Sequence, residues 1–187
     1  MRIRRLLILA AGIFFAASGT SGAQEAGKAG ITIAYPASIG LIWHATDTVA
    51  IRPAFAFSHS DSDTDSSFSS DSHSTAFGFD LGVLFYVKKY DNVRTYVSPR
   101  FVYSRSTSST APNSTVPNVP ESTTTGTSTG AAGVFGAQYS PGARFSVFGE
   151  VGIAFNHRRT ESSTSLVGVF KTNSWGTTAG VGVIFYP

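Results

Sequence analysis

From Val49 onward, large apolar residues recur at every second position, and they keep the same odd parity from one segment to the next. Val49, Ile51, Phe55 and Phe57 are followed by Phe77, Phe79, Leu81, Val83 and Phe85, then by Val97, Phe101 and Tyr103. Phe145, Val147, Val151, Ile153 and Phe155 continue the series, and Trp175, Val181, Val183 and Phe185 close it. The even positions between them hold Ala, Gly, Ser and Thr, together with Arg52, Asp80, Arg94, Arg100 and Glu150. A period of two is the signature of β-strands with one apolar face. No helical pattern lies between these strands to cover that face, so it is expected to meet lipid while the small and charged face turns inward.

Turn residues divide the chain into hairpins with alternately short and long connections. The short ones are 45–48, 88–92 and 140–143, and the long ones are 59–74, 106–127 and 158–173. Six strands are predicted at 48–58, 75–87, 93–105, 128–139, 144–157 and 174–186. The stretch 27–45 keeps one parity through Ile31, Ile33, Tyr35, Ala37, Ile39, Leu41 and Trp43, as a single long strand would. Barrels of single bacterial chains close with an even number of strands, which favours a split at Pro36 into two short strands and a total of eight. The expected fold is an all-β, eight-stranded antiparallel up-and-down transmembrane barrel over residues 24–187.

The first residues fit export. Met1 to Arg5 carry three arginines, Leu6 to Ala17 form an apolar run shorter than the ~20 residues that span a bilayer, and Ser21-Gly22-Ala23 supplies small residues for cleavage. Residues 1–23 therefore read as a signal peptide, and export together with the lipid-facing strands leads to the expectation that the rest lies in the cell outer membrane. Cleavage removes 3 of the 14 basic residues and leaves 11 against 11 acidic ones, so the basic character of the whole chain is no nucleic-acid footprint. There is no cysteine, hence no disulfide and no thiolate chemistry.

With these features together, the chain resembles the small eight-stranded outer-membrane barrels of the OmpA/OmpX type. The run from Ala179 to Tyr186, with Val181, Val183, Phe185 and Tyr186, is similar to the alternating last strand that the barrel assembly machinery recognises, although Pro187 follows the aromatic here. Aromatics are expected in two interfacial girdles: Trp43, Phe85, Tyr139, Phe145 and Phe185 on the short-turn side, and Phe57, Phe77, Tyr103, Phe155 and Trp175 on the loop side. The partners this implies are outer-membrane lipid, lipopolysaccharide and, during biogenesis, the assembly machinery. A monomer with no cofactor and no peptidoglycan-binding domain is expected.

Three constellations carry candidate chemistry. Arg52, Asp80, Arg94, Arg100 and Glu150 share the inner face, where eight strands leave little more than room for side chains, so a salt-bridged plug is expected, with Gly78, Gly82, Gly136, Gly152, Gly180 and Gly182 making space. A narrow pore or passive transporter is the alternative use of the same charges. Asp61, Asp63 and Asp65, with Asp71, His59 and His73 nearby, have the alternation of hard-cation ligands, but Ser66 and Ser72 stand where an EF-hand needs Gly and Glu; a solvated acidic loop is preferred to a metal site. His157 with Glu161 and Ser162 is the one grouping placed for lipid A chemistry, since His44 sits at the opposite rim. It lacks the spacing of lipid A-modifying enzymes, and a non-enzymatic role in surface interaction or envelope integrity is expected. A soluble lipocalin-like barrel, with its odd-numbered side chains lining a ligand cavity, is the competing fold.

Overall fold

The computed structural model describes residues 26–64, 70–112, 121–163 and 168–187. The proposed signal peptide, Asp65 and Ser66 lie outside these residues. Among the described residues the chain forms eight strands: β1 (Ala29–Tyr35), β2 (Ser38–His44), β3 (Val49–Thr64), β4 (Ser70–Tyr90), β5 (Val93–Pro112), β6 (Ser122–Gly142), β7 (Phe145–Ser162) and β8 (Phe170–Phe185). Each strand pairs antiparallel with the next, and β1 pairs with β8 to close a barrel. Closure leaves no strand edge along the shared height of the wall.

The split at Pro36 is present: the Tyr35–Pro36 peptide is cis, and Pro36 and Ala37 alone connect β1 to β2. At the opposite end β4 turns into β5 through Asp91 and Asn92, with Asp91 at a φ of 40°. Short polar residues tolerate that left-handed conformation, which is why this turn is Asp-Asn.

The walls extend farther than the sequence pattern predicts. Residues 59–64 and 70–74 are ladder, with Ser60 opposite Ser74 and Asp61 opposite His73, where a loop is expected. β5 likewise runs to Pro112 and β6 starts at Ser122, within the predicted 106–127 loop. Ser and Thr on both faces hide the apolar alternation, yet Thr suits an extended backbone and the antiparallel ladder propagates once started. β1 and β2 have seven residues each and do not share the extension.

Even-numbered side chains fill the lumen and odd-numbered ones face out. Ile42, Ala50, Leu84, Tyr96, Phe148, Ile184 and Tyr186 form a buried cluster in the short-turn half. The outside carries Ile33, Trp43, Phe55, Leu81, Phe101, Phe135, Val151 and Val181, one from every strand and all exposed. A lipocalin-like arrangement, with the odd side chains inside, is therefore not the one formed.

Candidate functional site

The lumen is built in tiers, and the register sets each one. In the middle, Arg52 on β3 and Arg100 on β5 are the two cross-strand neighbours of Gly82 on β4. Glu150 on β7 has Gly136 and Gly180 as its own neighbours. Long charged side chains thus rise from positions flanked by residues with no side chain, and a Cβ at Gly82 or Gly180 would come within 3.4 Å of Arg100 Nε and 3.1 Å of Glu150 Oε1.

Glu150 Oε2 is the hub of this tier. It accepts hydrogen bonds from Arg52 Nη2 at 2.7 Å, from Tyr96 Oη at 3.0 Å and from Arg100 Nη2. The Arg52 and Glu150 side chains are only 5% and 7% exposed, so the pair is desolvated and each charge depends on the other. Arg52 also stacks its guanidinium over Phe148, 4.5 Å from the ring centre. A Cβ on Gly182 would run into that same Phe148 ring, and one on Gly136 into Tyr96.

Two of the five predicted lumen charges stand apart from this hub. Asp80, opposite Ala54 and Val102, faces the lumen but makes no hydrogen bond or ion pair among the described residues. Arg94 lies near the short-turn end, where Nη1 donates to the Asp47 carbonyl at 3.1 Å and the guanidinium sits over Tyr86. Parity gives Arg94 the right face and the wrong height.

Below the charged tier runs a polar network absent from the sequence reading. His44 Nε2 and Tyr186 Oη are 3.0 Å apart, Gln138 Nε2 donates to Tyr186 Oη at 3.4 Å, and Tyr86 Oη donates to Gln138 Oε1 at 2.9 Å. His44, Gln138 and Tyr186 are almost fully buried. Tyr186 is therefore a core residue facing the lumen, and in this it departs from Val181 and Phe185, which face out. Together these side chains and the apolar cluster close the short-turn half of the barrel.

Above the charged tier the lumen opens into a cavity of about 320 Å³. Arg52, Asp80, Arg100 and Glu150 line its lower part, and Ala34, Ala54, Ala56, Gly78, Val102 and Gly180 its walls.

The other candidates resolve differently. His73 Nδ1 lies 2.6 Å from Asp61 Oδ1, and His59 Nε2 lies 3.2 Å from Oδ2 of the same carboxylate, which leaves both Asp61 oxygens on histidines. Asp61 lies beyond the last apolar pair of these strands, Phe57 and Phe77, and the hydrogen bond with His73 holds its carboxyl below the usual carboxylate range. No group of metal ligands forms among the described residues, and Asp63 faces Asp71 in register across the ladder. His157 Nδ1 bonds Asn173 Oδ1 at 2.7 Å, and Glu161 pairs with Arg159. His157 and Ser162, of opposite parity on one strand, belong to opposite faces of the wall, so they form no nucleophile–base pair. Among the expected girdle residues Trp43, Phe85, Tyr139 and Trp175 are exposed, while Tyr103 is half-buried.

No protein-family model matches the chain, and no curated protein matches it. Among solved structures, a major outer membrane protein from Thermus thermophilus is similar with a TM-score of 0.55 at 11% identity, over 86% of this chain and 98% of that one. CarO of Acinetobacter baumannii gives 0.45 at 12% identity, over 89% and 100% of the two chains. Ail, the attachment invasion locus protein of Yersinia pestis, gives 0.44 at 14%, over 87% and 99%. The likeness to the Thermus protein is one of fold, which this chain builds as a closed ring of eight antiparallel strands.

Proposed function

We propose that the chain is a non-enzymatic outer-membrane barrel, closed in its lower lumen, whose dealings with the cell exterior run through the extended walls of β3 to β8. One observation carries this reading: the distribution of polarity is inverted relative to a soluble protein. Every strand places an exposed large apolar side chain on the outside, whereas Arg52, Glu150, His44 and Gln138 are buried inside. An apolar belt around the whole circumference far exceeds the patches that monomeric soluble proteins expose, and lipid is the solvent that suits it.

In this reading the short turns face the periplasm and the Ser/Thr-rich extensions stand outside the cell. Outward Val181, Val183 and Phe185 form the face of β8 offered to the assembly machinery, and lipopolysaccharide surrounds the outer half. A non-enzymatic role is supported by the separation of His157 from Ser162 described above. The test is electrophoretic mobility of the protein from outer-membrane fractions, unboiled against boiled in SDS. A heat-dependent shift is expected, because a closed transmembrane barrel resists SDS until heated; a soluble periplasmic protein without a shift would overturn the reading.

A further inference from the structure

Resting on that reading, we infer that the barrel wall carries a lateral notch above the β1–β2 hairpin through which a single-chain, uncharged amphiphile of the lipid phase, of the monoacylglycerol class, inserts its head group into the lumen cavity.

The notch follows from strand length. β2 pairs with β3 only as far as Ile39 opposite Phe55, and β1 pairs with β8 only as far as Tyr35 opposite Val181. Beyond those points β3 is paired with β4 alone and β8 with β7 alone. Two strands are missing from the ring there, so the edges of β3 and β8 stand three strand spacings apart, about 14 Å. Seven residues at ~3.4 Å each, tilted about 40°, rise roughly 18 Å, short of the ~25 Å apolar band of such barrels. The hairpin tip therefore ends inside the band, and the opening faces hydrocarbon.

The rim agrees with that placement. Trp175 on β8, Tyr35 at the hairpin and Phe57 on β3 are 76%, 75% and 72% exposed, the highest values among the exposed large hydrophobic residues described. The cavity itself reaches Tyr35, Pro36 and Ala37 of the hairpin, so lumen and notch are continuous. Its volume of about 320 Å³ lies at the small end of ligand pockets, room for a compact head group and the start of one chain.

Charge selects the head group. The floor holds two guanidinium groups and two carboxylates, a formal sum of zero, so an ionic head meets no net countercharge. Hydrogen-bonding capacity remains at Asp80, which lines the cavity and makes no hydrogen bond or ion pair among the described residues. Hydroxyls, which donate as well as accept, complement a carboxylate that receives no other hydrogen bond.

The chain has two tryptophans, Trp43 and Trp175, which allows a test by fluorescence quenching. Trp43→Phe protein in phosphatidylcholine vesicles leaves Trp175 as the reporter, and a monoacylglycerol with a brominated chain is titrated in. Saturable quenching at a low mole fraction is expected, lost in Ala56→Leu/Gly78→Val, which fills the cavity, and weakened about tenfold in Asp80→Asn. Ala34→Leu narrows the same cavity from β1 and gives the same loss if the double variant does not fold. Quenching that rises linearly with mole fraction, or that is equal in the filled variants, overturns the inference. Trp175→Phe protein in brominated phosphatidylcholine vesicles separates the two readings: quenched Trp43 places the barrel in the bilayer whatever the notch does, and unquenched Trp43 defeats the membrane reading itself.

Discussion

Arg52 and Glu150, 98 positions apart in sequence, meet across the lumen with Nη2 and Oε2 2.7 Å apart. Their closeness ties β3 to β7, strands that share no ladder, and converts a ring of local pairings into a cross-braced cylinder. Because the same oxygen also receives Arg100, one carboxylate compensates two desolvated cations.

Replacing Glu150 with Gln leaves both guanidinium groups buried without the carboxylate they are bonded to. Loss of one partner from a buried ion pair costs about 3–5 kcal/mol. Unfolding of the reconstituted barrel in urea is expected to show that loss, and the temperature at which the SDS-resistant form melts is expected to fall. An unchanged midpoint would mean that Arg52 and Arg100 are solvated.

Gly136→Ala and Gly133→Ala form a matched pair on β6. A Cβ at Gly136 meets the Tyr96 ring, which is fully buried, whereas one at Gly133 meets nothing within 4 Å. The first is expected to cost about 1–3 kcal/mol through overpacking, and the second to stay within about 0.5 kcal/mol of wild type. Equal stabilities would refute the packed lumen.

Tyr186→Phe keeps the ring and removes the hydroxyl shared by His44 and Gln138. Leaving buried partners unsatisfied costs about 1–3 kcal/mol. The variant should therefore unfold at lower denaturant than wild type while still showing the heat-dependent gel shift. A larger defect in membrane insertion than in stability would instead assign the hydroxyl to assembly.

Planar-bilayer recordings should show no unitary conductance for the wild-type barrel, since Tyr96 and Phe148 belong to the side chains that fill its lower half. Tyr96→Ala combined with Phe148→Ala removes both rings and is expected to produce measurable current. Conductance in the wild type would restore the channel alternative.

Parity along the strands was readable because it repeats with a fixed period of two; the inner placement of Arg52, Arg100 and Glu150 and the break at Pro36 follow from it. Height was not, because it depends on cross-strand register. Arg94 shares the face of Arg100 but pairs opposite Lys89 near the turn, and Asp80 sits beside Ala54 instead of beside Glu150. The His44–Gln138–Tyr186 network was hidden for the same reason: each residue is a single polar group at a strand end, and only closure of the ring joins them. Residues such as Ser60, Ser74, Ser108 and Thr124 carry no apolar alternation and so have a loop's pattern in the sequence, although the ladder continues through them.

The five register pairs between β1 and β8 contrast with the sixteen between β7 and β8. The closing seam is thus held by far fewer backbone bonds than the joint beside it. β3 to β8 can zip into one broad curled sheet before the terminal hairpin completes the cylinder, and thermal opening is expected to begin at the same place. Amide exchange at Ile31 and Ile33 should accordingly outrun that at Val147 and Val151, which makes the closing ladder both the last to fasten and the first to part.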